Sequence, residues 1–359
     1  MTSRAEGAPR AHVVGLGLIG ASIALGLSEA GWTVTGSDLD GDLVREALAT
    51  GVVTDSVRHP ETRLAFAAVP SAAVPRVVAA LLADAGDELV VSDVAGVKAP
   101  IVASITDARF LGGHPMAGSE QSGLRGARGD LFVGATWVLT PTEQTTPERY
   151  RVLVGAIRDL GASAIALRAD DHDRLVAMVS HVPHLVAGAM MNEAALLAQS
   201  DAALLRLAAG GFRDMTRIAA GDSAIWPDVC IDNRDAILAG LASLRGRLAT
   251  LEAAIAGQDR ATILSELTAA SVARRNLPAS APDPTELAEL RVPVQDRPGV
   301  LAEVTTLASE ANLNIYDLEI AHSQEGTSGV LIMVLDAAGA ASLAAQLEAR
   351  GLRTAVEAL

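Results

Sequence analysis

Three glycines near the N-terminus have the spacing of a loop that binds a dinucleotide. Residues 12–14 have a strand pattern, and Gly15, Gly17 and Gly20 form G-x-G-x-x-G ahead of an apolar helical pattern. Such glycines permit a tight turn and close approach of the backbone to a pyrophosphate, while the helix N-terminus offers free N–H groups. The residues expected to contact the cofactor here are Gly15, Leu16, Gly17, Leu18, Ile19 and Gly20.

An acidic residue, Asp38, ends the second expected strand, 18 residues past Gly20. A carboxylate at that point accepts hydrogen bonds from ribose hydroxyls and repels a 2′-phosphate, which favours NAD over NADP. The alternative interpretation is that Asp38 caps the helix that begins near Asp40.

A histidine lies in residues 112–120, which follow an expected strand at 109–111. Ligands bind at the carboxyl ends of strands in open α/β sheets. His114 stands there between two glycines and Pro115. A neutral imidazole accepts a proton from a substrate hydroxyl while a hydride leaves the same carbon, so His114 is the candidate catalytic residue. The alternative is a turn histidine without chemistry.

Residues 180–184 read Ser-His-Val-Pro-His within a long helical pattern. His181 and His184 are three residues apart and so share a helix face, and Pro183 is expected to disturb the backbone. No cysteine or carboxylate cluster accompanies these histidines, so we expect no metal site.

Residues 210–219 contain paired glycines followed by Arg213 and Arg217, which are four residues apart. A guanidinium forms bidentate hydrogen bonds with a carboxylate, so this segment suits a carboxylate-binding helix start. The alternative is that both arginines lie on the surface and pair with Asp214 and Asp222.

The elements that must position these residues divide the chain into several parts. Residues 1–168 alternate strand and helix patterns, which predicts an NAD-binding domain with a doubly wound, mainly parallel sheet of the Rossmann type. Residues 169–277 carry long helical patterns that are too apolar for lone surface helices. They predict an all-α domain that binds substrate and forms a homodimer.

The C-terminal part is separated from the rest by a proline-rich linker at residues 278–288. Residues 289–359 then have the pattern β-α-β-β-α-β, which is the order of a small ferredoxin-like α+β domain.

The composition excludes several classes of function. The 359-residue chain has a formal net charge of −15, which argues against nucleic-acid binding. Its single cysteine excludes an internal disulfide and fits the cytoplasm. Neither a secretory signal nor a membrane-spanning apolar run is expected. Aromatic residues are few, so the core should consist of Ala, Val, Leu and Ile, and Lys98 is the only lysine.

Together the motifs resemble those of the prephenate/arogenate dehydrogenase family of tyrosine biosynthesis, over about residues 10–275. The segments that carry the resemblance are residues 15–20, 93–98, 112–118, 172–174, 180–184, 210–219 and Trp226. The resemblance implies that the protein uses NAD for the oxidative decarboxylation of prephenate to 4-hydroxyphenylpyruvate. The close alternative is arogenate, which would give tyrosine directly.

The resemblance also implies roles for individual residues. His114 is implied to take the proton of the substrate hydroxyl, and Arg217 to bind a substrate carboxylate. The other residues implied near the substrate are Ser180, His184, Gly210, Arg213, Trp226 and Glu120. The further cofactor-binding residues are Val69, Pro70, Asp93 and Lys98.

The tail resembles an ACT domain, the small amino-acid-sensing module, which implies regulation by an amino acid such as tyrosine. Its implied effector residues are Asp296, Pro298, Gly299 and Asn312.

One position departs from the family pattern. Gly96 stands where many members carry a serine thought to assist the histidine and to contact the nicotinamide, so we do not assign that role to Gly96. A water or the nearby backbone substitutes for it, or His114 works with less help.

Other hypotheses stay open at this point. A carboxylate near the substrate side chain, such as that of Glu120, would favour an arogenate-specific enzyme. A non-catalytic regulator that binds NAD and an amino acid would not need His114, His184 and Arg217 together. A β-hydroxyacid dehydrogenase shares the glycine loop and the helical domain, but residues 170–200 lack the lysine of its usual helix motif.

Overall fold

The computed structural model divides the chain into two compact units, Met1–Leu244 and Arg245–Leu359. The residues that it describes are 7–117, 123–201, 204, 207–221, 223–276, 287–295, 297–322 and 328–358. Each unit has a hydrophobic core of its own.

The first unit begins with four strands, each followed by a helix. The strands are β1 (Arg10–Val14), β2 (Thr33–Ser37), β3 (Leu64–Ala67) and β4 (Val90–Asp93). The helices are α1 (Leu18–Glu29), α2 (Gly41–Ala49), α3 (Val74–Ala83) and α4 (Ala99–Ser104). All strand pairs are parallel, in the order β2-β1-β3-β4, and β3 and β4 are buried along their whole length. This is the predicted Rossmann-type arrangement, so the carboxyl ends of the strands meet at one edge.

A second, three-stranded sheet carries the candidate catalytic histidine. Its strands are β5 (Gly112–Pro115), β6 (Thr136–Thr140) and β7 (Ser163–Ala166), with α5 (Pro147–Asp159) between β6 and β7. β5 pairs antiparallel with β6, and β6 pairs parallel with β7.

The position of β5 corrects the sequence-based expectation. The strand expected at 109–111 contributes only an isolated bridge between Val91 and Phe110. His114 therefore lies inside β5, opposite Val138, and not in a loop after a strand. Glycines are poor strand formers, but here they permit close packing, because a Cβ at Gly113 would lie 2.9 Å from Trp137 Nε1.

The core of the first unit consists mainly of Ala, Val, Leu and Ile, as predicted. Its largest side chains are nevertheless aromatic. Trp137 and Phe132 are fully buried, with ring centroids 5.1 Å apart, and Phe66 lies 6.1 Å from Trp137.

The rest of the first unit is helical. It contains α6 (Ala169–Val176), α7 (Val182–Ala198), α8 (Gly210–Thr216), α9 (Trp226–Asp232) and the first part of α10 (Arg234–Ala256), which continues into the second unit. A π-helical turn, Ala177–His181, joins α6 to α7 just before Pro183. The expected disturbance of the backbone is therefore a widened turn inside one continuous helix.

The continuous helix Ala169–Ala198 has a window of mean hydropathy 1.3 and meets the length and composition criteria for a membrane span. We expected no segment to be long and apolar enough to span a membrane, and by length and composition this helix is. These criteria are weak evidence, because an apolar helix of a packed domain satisfies them too. The same helix places His172, Asp173 and His181 in the protein interior.

The second unit contains α11 (Arg260–Arg275) and a four-stranded antiparallel sheet. The strands β8 (Leu287–Gln295), β9 (Asp317–His322), β10 (Ser328–Asp336) and β11 (Ala355–Ala358) are arranged as β11-β8-β10-β9. Helices α12 (Val300–Glu310) and α13 (Ala337–Ala349) follow β8 and β10. The order is thus β-α-β-β-α-β, as predicted.

Candidate active site

The glycine loop lies at the carboxyl end of β1. Gly15 has a φ of 94°, a left-handed conformation, and a Cβ at this position would collide with the carbonyl oxygen of Ala68. A Cβ at Gly20 would collide with the carbonyl oxygen of Gly15. At Gly17, by contrast, a Cβ would meet nothing within 4 Å. The first and third glycines are therefore needed for packing, while the second leaves open space beside the helix N-terminus.

The N-terminus of α1 has no side-chain cap and no acidic residue in its first turn. Its first N–H groups have no partner within the helix, which makes them donors for an anionic group. Asp38 lies beside this loop, because its Oδ2 accepts a 2.7 Å hydrogen bond from Leu16 N. The interpretation of Asp38 as a helix cap is wrong, since Asp40 caps α2.

These residues fit a dinucleotide. The open space at Gly17 and the uncapped helix suit a pyrophosphate, and the Asp38 carboxylate suits ribose hydroxyls. Val69 adjoins the loop, because its Cγ1 lies 3.1 Å from the position of a Cβ at Gly15. Pro70 follows it and precedes the 3₁₀ turn Ser71–Ala73.

A buried ion pair joins β4 to β5. The Lys98 ammonium pairs with Asp93 Oδ2 and donates a 2.9 Å hydrogen bond to the Gly113 carbonyl. Asp93 Oδ1 accepts a 3.1 Å hydrogen bond from Gly113 N. Both side chains are fully buried, and this burial lowers the pKa of Lys98 more than Asp93 raises it. We expected Lys98 to contact the cofactor. In the structure its ammonium is held inside the protein, where it bonds to Gly113, the residue before His114.

His114 has one ring nitrogen engaged and one directed toward Gly96. Its Nδ1 lies 2.9 Å from His172 Nε2, and its Nε2 lies 3.8 Å from the position that a Cβ would take at Gly96. Burial and the nearby charge of Lys98 lower the pKa of His114 well below its ordinary value. The imidazole is consequently neutral near pH 7, which is the state that a proton acceptor needs.

Three residues around His114 were not predicted from the sequence. His172 Nδ1 lies 2.7 Å from Asp173 Oδ1, and Asn233 Nδ2 donates a 2.8 Å hydrogen bond to the Asp173 carbonyl. Asn233 Nδ2 also lies 3.1 Å from His181 Nδ1. Residues 172–174 carried part of the family resemblance, but nothing local in the sequence indicated that His172 contacts His114.

Aromatic stacking holds the second histidine motif. The rings of His184 and Trp226 stack with centroids 3.6 Å apart and an angle of 13° between planes. His181 meets the same indole edge-on at 6.1 Å. Burial lowers the pKa of His184, and Ser180 is half-buried in the π turn. The two parts of the predicted site are thereby connected. Hydrogen bonds run from His114 through His172, Asp173 and Asn233 to His181, whose ring contacts Trp226.

The predicted carboxylate-binding arginines lie on the surface of the protein. Gly210 begins α8, Arg213 lies within it, and Arg217 begins the 3₁₀ turn Arg217–Ala220. Gly221 follows that turn, and a Cβ there would lie 4.0 Å from His184 Cε1. Arg213 and Arg217 are exposed, and the turn that Arg217 begins packs against α7, which carries His184. Glu120 and Asp222 lie outside the described residues.

The predicted effector residues belong to the second unit. Gly299 has a φ of 91° and is the N-cap of α12, and Asn312 has a φ of 54°. Pro298 precedes Gly299, and Asp296 lies outside the described residues.

No group of three or more His, Cys, Asp or Glu side chains with metal-binding geometry occurs among the described residues.

Two family models match most of the chain. The model described as "Prephenate dehydrogenase, nucleotide-binding domain" matches residues 23–166. The model described as "Prephenate dehydrogenase, dimerization domain" matches residues 168–269, which include the long apolar helix. The first match starts inside α1 and therefore does not include the glycine loop. The assignment of that loop to the cofactor is based on its geometry.

Known proteins agree with this match. The chain is 30% identical to a prephenate dehydrogenase of Bacillus subtilis, over 89% of this chain and 90% of that one. A crystal structure of Synechocystis arogenate dehydrogenase has a TM-score of 0.65 and 30% identity, covering 74% of this chain and 98% of that one. The prephenate dehydrogenase of A. aeolicus, solved with hydroxyphenyl propionate and NAD⁺, has the same fold, with a TM-score of 0.69, 24% identity and coverage of 75% and 98%. The chain belongs to the prephenate dehydrogenase family and is an NAD-dependent oxidoreductase.

Proposed function

We propose that this protein catalyses the NAD-dependent oxidative decarboxylation of prephenate to 4-hydroxyphenylpyruvate. The observation that carries the proposal is the connected arrangement of His114, His172, His181 and the stacked His184–Trp226 pair. It combines a neutral proton acceptor with the stacked His184–Trp226 pair, which a sensor of NAD alone would not need. The Bacillus subtilis relative supports prephenate as the substrate, whereas the Synechocystis relative is an arogenate dehydrogenase and keeps arogenate as the alternative.

In the proposed reaction, His114 Nε2 takes the proton of the ring hydroxyl. Bound NAD⁺ would supply the acceptor for the hydride that leaves the same carbon. The C–C bond to the ring carboxylate breaks and carbon dioxide leaves. The electron pair of that bond completes the aromatic ring as a phenolate, which takes the proton back from His114 to give the hydroxyl of 4-hydroxyphenylpyruvate. Because His114 is neutral and buried, its lone pair is available for this proton near pH 7.

The substrate's carboxylates need cations in a protein of net charge −15. We assign this role to Arg217, with Arg213 as a second cation and Ser180, His184, Gly210 and Trp226 around it. Glu120 is proposed as a polar neighbour. For the cofactor, the glycine loop and Asp38 are proposed to hold the pyrophosphate and the adenosine ribose, and Asp38 to favour NAD over NADP.

We further propose that the protein is a homodimer in the cytoplasm. The support is the family description of residues 168–269 as a dimerization domain and the exposed apolar side chains there. Examples are Met178, Val179 and Leu196, whose exposed fractions are 52%, 68% and 58%. Within the described part of a single chain, these apolar side chains stay exposed to solvent.

We also propose that residues 289–359 form an ACT domain that responds to an amino acid such as tyrosine. The β-α-β-β-α-β order supports this assignment. So do the left-handed Gly299 before α12 and Asn312 after it, which shape the two loops expected to contact an effector with Pro298 and Asp296.

The test is NADH formation by the purified protein with prephenate and with arogenate, offered separately. Turnover of prephenate is expected, and turnover of arogenate alone would identify the enzyme as an arogenate dehydrogenase. Absence of turnover with either substrate would refute the proposed function. Arg217→Ala should raise KM for the substrate and leave the affinity for NADH unchanged.

A further inference from the structure

A series of hydrogen bonds connects His114 to α6 and α4. His114 Nδ1 lies 2.9 Å from His172 Nε2, and His172 Nδ1 lies 2.7 Å from Asp173 Oδ1. His172 is completely buried, and Asp173 is 5% exposed. The three side chains therefore meet within the protein interior, where hydrogen-bond partners fix which nitrogen carries a proton.

The carboxylate at the end of this series is surrounded by donors. Asp173 Oδ1 accepts a 2.7 Å hydrogen bond from Lys98 N, and Oδ2 accepts one of the same length from Ala99 N. Both oxygens of this carboxylate thus act as hydrogen-bond acceptors, and an ionised carboxylate has no hydrogen to donate. The ring nitrogen that faces it, His172 Nδ1, must then carry a hydrogen.

We propose that His172 and Asp173 are positioning residues that hold His114 with its hydrogen on Nδ1 and its lone pair on Nε2. A neutral His172 with hydrogen on Nδ1 presents an unprotonated Nε2, and this nitrogen accepts from His114 Nδ1. The remaining nitrogen of His114, Nε2, then has a lone pair and lies beside Gly96.

This arrangement deepens the proposed function, because it depends on His114 being the proton acceptor. In the opposite tautomer, His114 would present an N–H to the substrate hydroxyl and could not take its proton. In the assigned tautomer, the proton that leaves the hydroxyl binds Nε2. The resulting imidazolium keeps its Nδ1–H on His172, so the positive charge is stabilised by a hydrogen bond without moving a proton to Asp173.

The first test is the ¹⁵N NMR spectrum of the histidine-labelled, full-length wild-type protein, with His114→Asn identifying the His114 signals. The inference predicts a protonated Nδ1 and an unprotonated Nε2 for His114 at neutral pH. A proton on Nε2 would overturn it. This readout needs no substrate, so it decides the inference even if neither prephenate nor arogenate is turned over, a result that would refute only the proposed function.

The second test compares two variants of His172. His172→Phe removes the acceptor and should lower kcat roughly 10- to 100-fold, the usual cost of losing a group that orients a reacting one. KM for prephenate and the affinity for NADH should stay near their wild-type values. His172→Gln offers a side-chain carbonyl to His114 Nδ1 and should recover part of kcat.

A matched control is Asp171→Asn. Asp171 precedes His172 in α6 but forms an exposed ion pair with Arg174, 3.1 Å away. The kcat of the Asp171→Asn variant should therefore equal that of the wild type. Near-wild-type kcat in His172→Phe, or a His114 tautomer unchanged in that variant, would overturn the inference. If His172→Phe does not fold, the wild-type spectrum still decides the question.

Discussion

At the scale of single residues, the site keeps a lysine and a histidine close together in different states. The Lys98 ammonium is bound by Asp93 and by the carbonyl of Gly113, the residue before His114. Its charge is one cause of the lowered pKa of His114, after burial. Lys98 thus helps to lower the pKa of the proton acceptor from a buried position. This gives the single lysine of the chain a physical role.

The lowered pKa of His114 predicts the pH dependence of the reaction. A base loses activity as the pH falls through its pKa, and the pKa of His114 lies well below its ordinary value of 6.5. The acidic limb of the kcat/KM profile should therefore lie below pH 6.5. The measurement is NADH formation across the pH range with prephenate, and an acidic limb at or above that value would contradict the assignment.

Removing the Lys98 charge should be costly because Asp93 would stay buried without its partner. Lys98→Met is expected to lower the free energy of unfolding by about 3–5 kcal/mol, measured by urea denaturation. Lys98→Arg forces a larger group into the same space and should cost about 1–3 kcal/mol.

The control for this prediction is Arg63→Met. It breaks an ion pair with Glu88 in which both side chains are mostly exposed, and such pairs contribute at most about 1 kcal/mol. Equal stability losses in Lys98→Met and Arg63→Met would show that the buried pair has no special importance.

At the scale of secondary structure elements, the sequence predicted those with clear local patterns. The strands β1–β4, the helical part and the C-terminal β-α-β-β-α-β order all follow from hydrophobic periodicity and glycine positions. Strand β5 was misplaced, because Gly112 and Gly113 disfavour a strand locally and only packing against β6 and Trp137 explains it. The contact between His114 and His172 joins residues 58 positions apart, and no local pattern reveals it.

Substitutions of the second and third glycines of the glycine loop should have different effects on stability and on NAD binding. Gly17→Ala adds a methyl group in open space, so it should leave Tm unchanged and weaken NAD binding. Gly20→Ala drives a Cβ into the carbonyl oxygen of Gly15 and should lower Tm. The measurements are thermal unfolding and NADH titration.

Gly155→Ala in α5 is the matched control, because a Cβ there also meets nothing within 4 Å. The Gly155→Ala variant should have the same affinity for NAD as the wild type. If Gly17→Ala binds NAD as tightly as Gly155→Ala does, the loop does not approach the cofactor as proposed.

At the scale of the whole molecule, the part of the chain that matches the prephenate dehydrogenase family is followed by a small sheet domain. The second of the two family models ends at residue 269. The sheet of β8–β11 with α12 and α13 has its own core, built around Leu290, Met333 and Leu343. A domain with its own core and no proposed catalytic residue is suited to regulation.

A chain truncated after Pro282 should therefore retain turnover of prephenate and lose any response to tyrosine. The comparison is the initial rate of NADH formation with and without tyrosine, for the truncated and full-length proteins. A full-length enzyme that responds to neither tyrosine nor phenylalanine would contradict the effector assignment, and so would a truncated chain that still responds.

The central claim is that His114 accepts the substrate's proton during oxidative decarboxylation, and kcat of His114→Asn with prephenate and NAD⁺ tests it most directly. A general base contributes roughly 10²- to 10⁴-fold, so kcat should fall by that factor while the affinity for NADH stays at the wild-type value. A kcat close to that of the wild type would contradict the claim.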